Sequence, residues 1–244
     1  MKFDLHIHSC LSPCASLEMS PAEIVQRAVA AGMGGIAVTD HQSARNMPAV
    51  AECARRAGLA CLAGLEVCTA EEVHTLALFD TVEQALAMTE WVYAALPKRV
   101  NDPETFGDQP VVTWDDEIVE LEWRILAMGC RRTIAETAER CHALGGVYVA
   151  AHVDRSAFSV FSQLGAIPGG GIFDAVELSR TADEAVWRPR VDGFAVTRSS
   201  DAHHLDDVAR VWTEAELPAF TTAGLKDVWM KRATTLSPRL TAFG

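Results

Sequence analysis

The stretch SPAEIVQRAVAAGMGGIAVTD, residues 20–40, decides the fold. Ser20 before Pro21, with Glu23 three residues after the serine, spells a helix start: the serine side chain caps, proline suits the first helical position, and glutamate reaches back. Ile24, Val25, Ala28 and Val29 recur at helical spacing, and Gly32 supplies a stop. The apolar run Gly35 to Thr39 then reads as a buried strand ending at Asp40.

Working outward, Phe3 to His8 reads as a strand before this helix. After Asp40 come a helix from Met47 to Ala57, stopped at Gly58, and an apolar run from Leu59 to Leu65. Strand, helix, strand, helix, strand predicts a βαβ series on a parallel sheet. The connection from Leu65 to the next β-like run, Val73 to Phe79, is too short for a helical crossover, so that run is expected antiparallel, with its start near Glu66. Thr81 to Leu96 reads as a helix ended by Pro97. The segment 98–122 breaks the rhythm with Pro103, Gly107, Pro110 and the acids Asp115, Asp116 and Glu117. It reads as an insertion holding a hairpin that turns near those acids, either a lid or subunit contact, or a solvated excursion. A helix from Thr133 to Leu144, strands from Val147, Ala175 and Phe194, and a closing helix from Leu225 to Arg232 complete the pattern. Seven strands predict an α/β fold, a distorted seven-stranded, TIM-like (β/α) barrel, as a single domain over 1–244.

With 244 residues and 49% apolar content the chain can bury a substantial core. No run approaches the roughly 20 apolar residues of a membrane span, and no apolar leader core follows a basic start, so a soluble, cytoplasmic protein is expected. Seven cysteines without a CxxC pair predict reduced thiols rather than a disulfide framework or a zinc ribbon. A net charge of −12 removes the basic footprint of a general nucleic-acid binder, so a long polynucleotide is disfavoured as a partner. The sequence leaves the oligomeric state open.

Potential metal ligands collect where the predicted strands end. On a strand, alternation puts Leu5 and Ile7 on one face and Asp4, His6 and His8 on the other. His8 ends the first run, Asp40 and His41 the second, Glu66 the third and His152 the Val147 run; His74 begins the antiparallel run, and Asp201 and His203 follow the last. In α/β barrels the loops after the strands form the face where functional groups gather. Only His142 and His204 lack a place there and are expected to be structural or surface residues.

In order, the stretches Asp4–Ser9 (DLHIHS), Thr39–His41 (TDH), Gly64–Glu66 (GLE), Val73–His74 (VH), Ala151–His152 (AH) and Ser200–His203 (SDAH) resemble the polymerase-and-histidinol-phosphatase (PHP) family of metal-dependent phosphoesterases. The resemblance implies a distorted barrel with two or three divalent ions, zinc, manganese or iron. It also implies that His6, His8, Glu66 and Asp201 hold one ion, and that Glu66 bridges to a second held by His74 and His152. A third ion is held in trinuclear members by residues matching His41 and His203 and by a histidine where this chain has Cys14, a thiolate ligand suited to zinc or iron. Asp40 and Asp4 are expected to orient imidazoles.

Such a cluster supplies a hydroxide nucleophile and neutralises phosphoryl charge, so no serine or cysteine nucleophile is needed, and no GxSxG elbow or Walker loop is present. Glu66, Asp201 and His203 are the expected catalytic positions. Arg155, Arg180 and Ser200 are the candidates for holding a phosphate, the arginines because a guanidinium matches phosphate bidentately. The expected activity is hydrolysis of a phosphate ester of a small metabolite or nucleotide. The alternatives are amide or carboxylic ester hydrolysis by the same hydroxide, or a metal-loaded regulatory or scaffold module.

Overall fold

In the computed structural model, which describes residues 1–240, eleven strands run in chain order. They are β1 (Lys2–Ile7), β2 (Gly35–Val38), β3 (Ala60–Cys68), β4 (His74–Phe79), β5 (Pro110–Val112), β6 (Ile118–Leu121), β7 (Val147–Ala150), β8 (Ala175–Leu178), β9 (Val196–Arg198), β10 (Thr213–Ala215) and β11 (Thr234–Leu236). Between them lie α1 (Pro21–Ala30), α2 (Met47–Ala57), α3 (Val82–Ala95), α4 (Pro103–Phe106), α5 (Ile134–Ala143), α6 (Val160–Leu164), α7 (Glu184–Trp187) and α8 (Thr222–Met230). Nine strands form one nearly closed, barrel-shaped sheet in the order β11-β10-β1-β2-β3-β4-β7-β8-β9. The two ends approach where Ile7 bridges Ala202 and the His8 N–H donates to the Ala202 carbonyl at 2.9 Å.

All seven expected strands are present, and β4 runs antiparallel to both β3 and β7. The short strands β10 and β11 extend the sheet beyond β1. At three residues each they carry too little periodicity to read from sequence. The helix signals hold: Ser20 accepts from the Glu23 N–H, Thr81 and Thr133 form capping boxes with Gln84 and Glu136, and Gly58 stops α2 at φ 69°, where a side chain would be strained.

The expected alternation along β1 fails at one point. Leu5 packs in the smaller apolar cluster with Phe3, whereas Ile7 packs in the larger one. The register with β2 slips between Asp4 and Ile7, a bulge that inserts one extra residue. Leu5 and then His6 and His8 therefore share the barrel interior. Below them Leu62, Leu76, Leu78 and Val149 fill that interior, and Leu225, Val228 and Trp229 of α8 close its base. Each such side chain contributes roughly 1.5–3 kcal/mol through burial. Phe220 seals the same end so tightly that a Cβ on Gly35 would lie 2.7 Å from its ring. The base is plugged, which leaves the other end for chemistry.

The 98–122 insertion forms α4 and the β5–β6 hairpin, turning at Asp115–Glu117 as expected. It is fastened to the barrel by buried Asn46, whose Nδ2 donates to the Pro110 carbonyl at 3.2 Å and whose Oδ1 accepts from the Val112 N–H at 3.0 Å. Arg45 ion-pairs with Glu120 and Glu122, and the Tyr93 hydroxyl donates to Glu122 at 2.7 Å. These ties exclude a loose excursion. Asn46→Ala is expected to destabilise the protein by about 1–3 kcal/mol, because buried backbone groups lose their partners. A denaturant midpoint equal to that of the unchanged protein would contradict this role.

Candidate metal centre

The buried Glu66 carboxylate on β3 gathers the ends of five imidazoles. On Oε1 these are His74 Nδ1 at 2.9 Å, His152 Nε2 at 3.2 Å and His6 Nε2 at 3.4 Å; on Oε2 they are His41 Nδ1 at 2.9 Å and His8 Nε2 at 3.5 Å. Asp201 closes the opposite side, with Oδ1 at 3.3 Å from His6 Nε2 and 3.2 Å from His8 Nε2. The His203 ring lies 4.3 Å from that of His8, and its Nδ1 is 2.9 Å from the Asp201 carbonyl oxygen. β1 to β3 and β7 to β9 deliver their ligands from strand ends, while antiparallel β4 delivers His74 from its start, paired with Cys68. His152 and Asp201 hold left-handed backbone, φ 29° and 49°, a cost of the kind that gathers at functional sites.

Three donor sets could each hold an ion: His6, His8 and Asp201; His41, Glu66 and His74; and His8, His41 and His203. Cys14 sits at the edge of the last, its exposed side chain hydrogen-bonded to His203 and His41. Partial burial raises its thiol pKa, but those two hydrogen bonds prevail and hold it near 6, so the thiolate is accessible at neutral pH.

The surrounding residues prepare the inner nitrogens for a cation. Glu177 Oε1 lies 3.0 Å from His6 Nδ1 and also accepts the His152 N–H at 3.1 Å. Ser12 donates to Asp40 at 2.7 Å, so its oxygen is left to accept from His8 Nδ1 at 2.9 Å. With protons committed outward at Nδ1, the Nε2 lone pairs of His6 and His8 face Glu66 and Asp201. Burial by itself would pull the His6 pKa down, yet Glu177, Asp201 and Glu66 hold it well above the usual range. His8 goes well below, through burial and then repulsion from His203. Burial raises the carboxyl pKa of Glu66, but His74, His6 and His41 keep it far below the ordinary value. Six imidazoles around two carboxylates offer more lone pairs than the protein's own donors use, and the set fits divalent ions.

Asp40 orients His8 through Ser12, as expected. Asp4 does not touch an imidazole: its oxygens accept the Ser200 and Ala209 N–H groups, fastening the loop that carries Asp201, and burial raises its pKa to about 6. Two of the phosphate-holding candidates are not free for that task. Ser200 is fully buried with its hydroxyl donating to the His6 carbonyl, and Arg180 pairs with Asp207 at 2.8 Å. Arg155 reaches the cluster, 2.5 Å from Asp201 Oδ2. His142 pairs with Asp174 and His204 is exposed, both outside the centre. Glu177 escaped the sequence reading. Its only signal is a charge at the interior position of an apolar run. Glu177→Gln is expected to weaken metal affinity roughly 10- to 100-fold while the fold persists, measured by metal titration; unchanged affinity would release Glu177 from that role.

A family profile, the PHP domain, matches residues 4–156, more than half of the chain. The chain belongs to the PHP domain family. PHP-family hydrolases are metal-dependent, in keeping with the donor sets above. Among solved structures the chain resembles endonuclease Q from Pyrococcus furiosus at 18% identity and TM-score 0.71, covering 96% of this chain and 57% of that one. A Bifidobacterium adolescentis protein provisionally named a metal-dependent phosphoesterase matches at 18% identity and TM-score 0.57, over 99% and 98% of the two chains. An amidohydrolase from Chromobacterium violaceum matches at 18% identity and TM-score 0.57, over the full length of both. At these identities the likeness is one of fold, and this PHP chain spans little more than half of endonuclease Q. A search of curated proteins finds no significant match. Among the described residues no helix is long and apolar enough to cross a membrane.

Proposed function

We propose that this PHP domain hydrolyses phosphate esters with the help of divalent ions held by its histidine cluster. The observation that carries the reading is the convergence of five imidazole nitrogens within 3.5 Å of one buried carboxylate, Glu66. His6, His8, Asp201 and Glu66 hold one ion; Glu66, His74 and His152 hold the next; His41, His203 and Cys14 serve a third. Bound ions would supply an activated water at neutral pH and draw charge from the phosphoryl oxygens. The protein's own share is orientation: Glu177 and Ser12 fix two imidazoles, and Asp4 holds the loop of Asp201. Arg155, 42% exposed beside Asp201, offers a guanidinium for the phosphate.

The net charge of −12 argues for a small phosphorylated substrate, whereas endonuclease Q, with the same fold, has been captured with a 27-mer duplex bearing an abasic lesion. The deciding experiment is metal analysis of the purified protein, then phosphate release from sugar phosphates, nucleotides and short oligonucleotides, with amide and carboxylic ester substrates alongside. Metal-dependent phosphate release, abolished by chelation and restored by added ions, is expected. Release of amine or acid alone would replace the phosphoester reading, and inactivity with every reconstituted metal would favour the scaffold role.

A further inference from the structure

The loop between β7 and α6 touches the cluster three times, at intervals of three residues. His152 meets Glu66, Arg155 meets Asp201, and the Phe158 ring stacks on His74 with centroids 4.8 Å apart and planes 24° from parallel. His152 and Phe158 both hold left-handed backbone, φ 29° and 55°, which is unfavourable for any residue with a Cβ. For His152 the result is an imidazole on Glu66. For Phe158 it is an aromatic ring held at the rim, its own carbonyl accepting the His74 N–H at 2.9 Å.

That ring is not spent on the core. Phe3 and Phe79 are fully buried, whereas Phe158 is 44% exposed. A single exposed apolar residue is ordinary on a protein surface. Here, however, it is strained, braced by a histidine of the cluster, and three residues from a guanidinium that also reaches the cluster. An aromatic face braced from behind offers stacking to a flat ring, and every nucleobase has such a face.

We propose that Phe158 is a stacking platform that selects phosphate esters carrying a nucleobase, with Arg155 positioned for the anionic part. The inference rests on the phosphoester reading above and narrows its substrate class. It is tested by equilibrium binding to the metal-loaded protein, comparing adenosine monophosphate with ribose 5-phosphate, a pair that differs by the base. The nucleotide is expected to bind at least about tenfold tighter. Phe158→Ala should erase that advantage and Phe158→Tyr should keep it. A single-stranded tetranucleotide forms a third arm: Phe158-dependent binding tighter than that of the mononucleotide assigns the platform to a nucleic-acid end, and equal or weaker binding assigns it to a free nucleotide.

Equal binding of the first two ligands by the unchanged protein would overturn the proposal. So would Phe158→Ala weakening both alike, or lowering metal content where Phe158→Tyr does not, since a mere prop for His74 would behave that way. Phosphate release is scored separately. Base-selective, Phe158-dependent binding without phosphate release removes the hydrolase reading and leaves the platform, whereas phosphate release with no base preference does the reverse.

Discussion

Replacing Glu66 by glutamine is expected to abolish both metal retention and hydrolysis, with turnover falling on the order of a thousandfold or more. The physical reason is the position of that one carboxylate. Both of its oxygens face imidazole nitrogens, three on Oε1 and two on Oε2, and its bridging place joins two of the three donor sets proposed here. Glutamine keeps the shape but loses the charge, and its amide turns donor hydrogens toward lone pairs meant for a cation. Changes to residues behind metal ligands already cost 10–100-fold, and loss of a bridging ligand should exceed that. Metal analysis of the purified Glu66→Gln protein, with circular dichroism to establish its fold, provides the measurement. Full metal content and undiminished turnover would remove Glu66 from the centre.

Asp201→Asn should have a different signature. Asparagine tolerates the left-handed backbone that Asp201 adopts, φ 49°, and the His203 tether runs to the backbone carbonyl, so the local structure should persist. What disappears is the negative charge 3.3 Å and 3.2 Å from the Nε2 atoms of His6 and His8. In Asp201 the charge is strongly favoured: burial opposes it, but His6 and His8 outweigh burial and keep the carboxyl pKa well below its usual value. The variant is expected to lose about one ion per chain, keep the ion held by Glu66, His74 and His152, and lose on the order of a hundredfold or more in turnover. Equal metal stoichiometry in the two proteins, with equal rates, would show that Asp201 holds no ion.

Much of the centre was legible because strand ends are legible. A run of apolar residues bounded by a polar one places that polar residue at the rim, and His8, His41, Glu66, His152 and His203 all sit where such runs stop. His74 needed one further step, the argument that eight residues cannot hold a crossover helix, and β4 is antiparallel as that argument requires. The alternation rule misplaced Leu5, because a bulge between Asp4 and Ile7 depends on how β1 meets β2 and leaves no mark in β1 itself. Ser200 and Arg180 were read as free for substrate from their nearness to rim residues, yet burial and an ion pair commit them elsewhere.

By itself, the sequence determined the barrel and its ligand set, since periodicity, caps and strand-end polarity act within a few neighbouring residues. Only the tertiary structure decided which nitrogen of each histidine faces inward, that Glu177 and Ser12 stand behind His6 and His8, and that Phe158 lies over His74. Those relations join residues as far apart as His6 and Glu177, 171 positions along the chain, and they exist only once the sheet curves round and the strand ends meet.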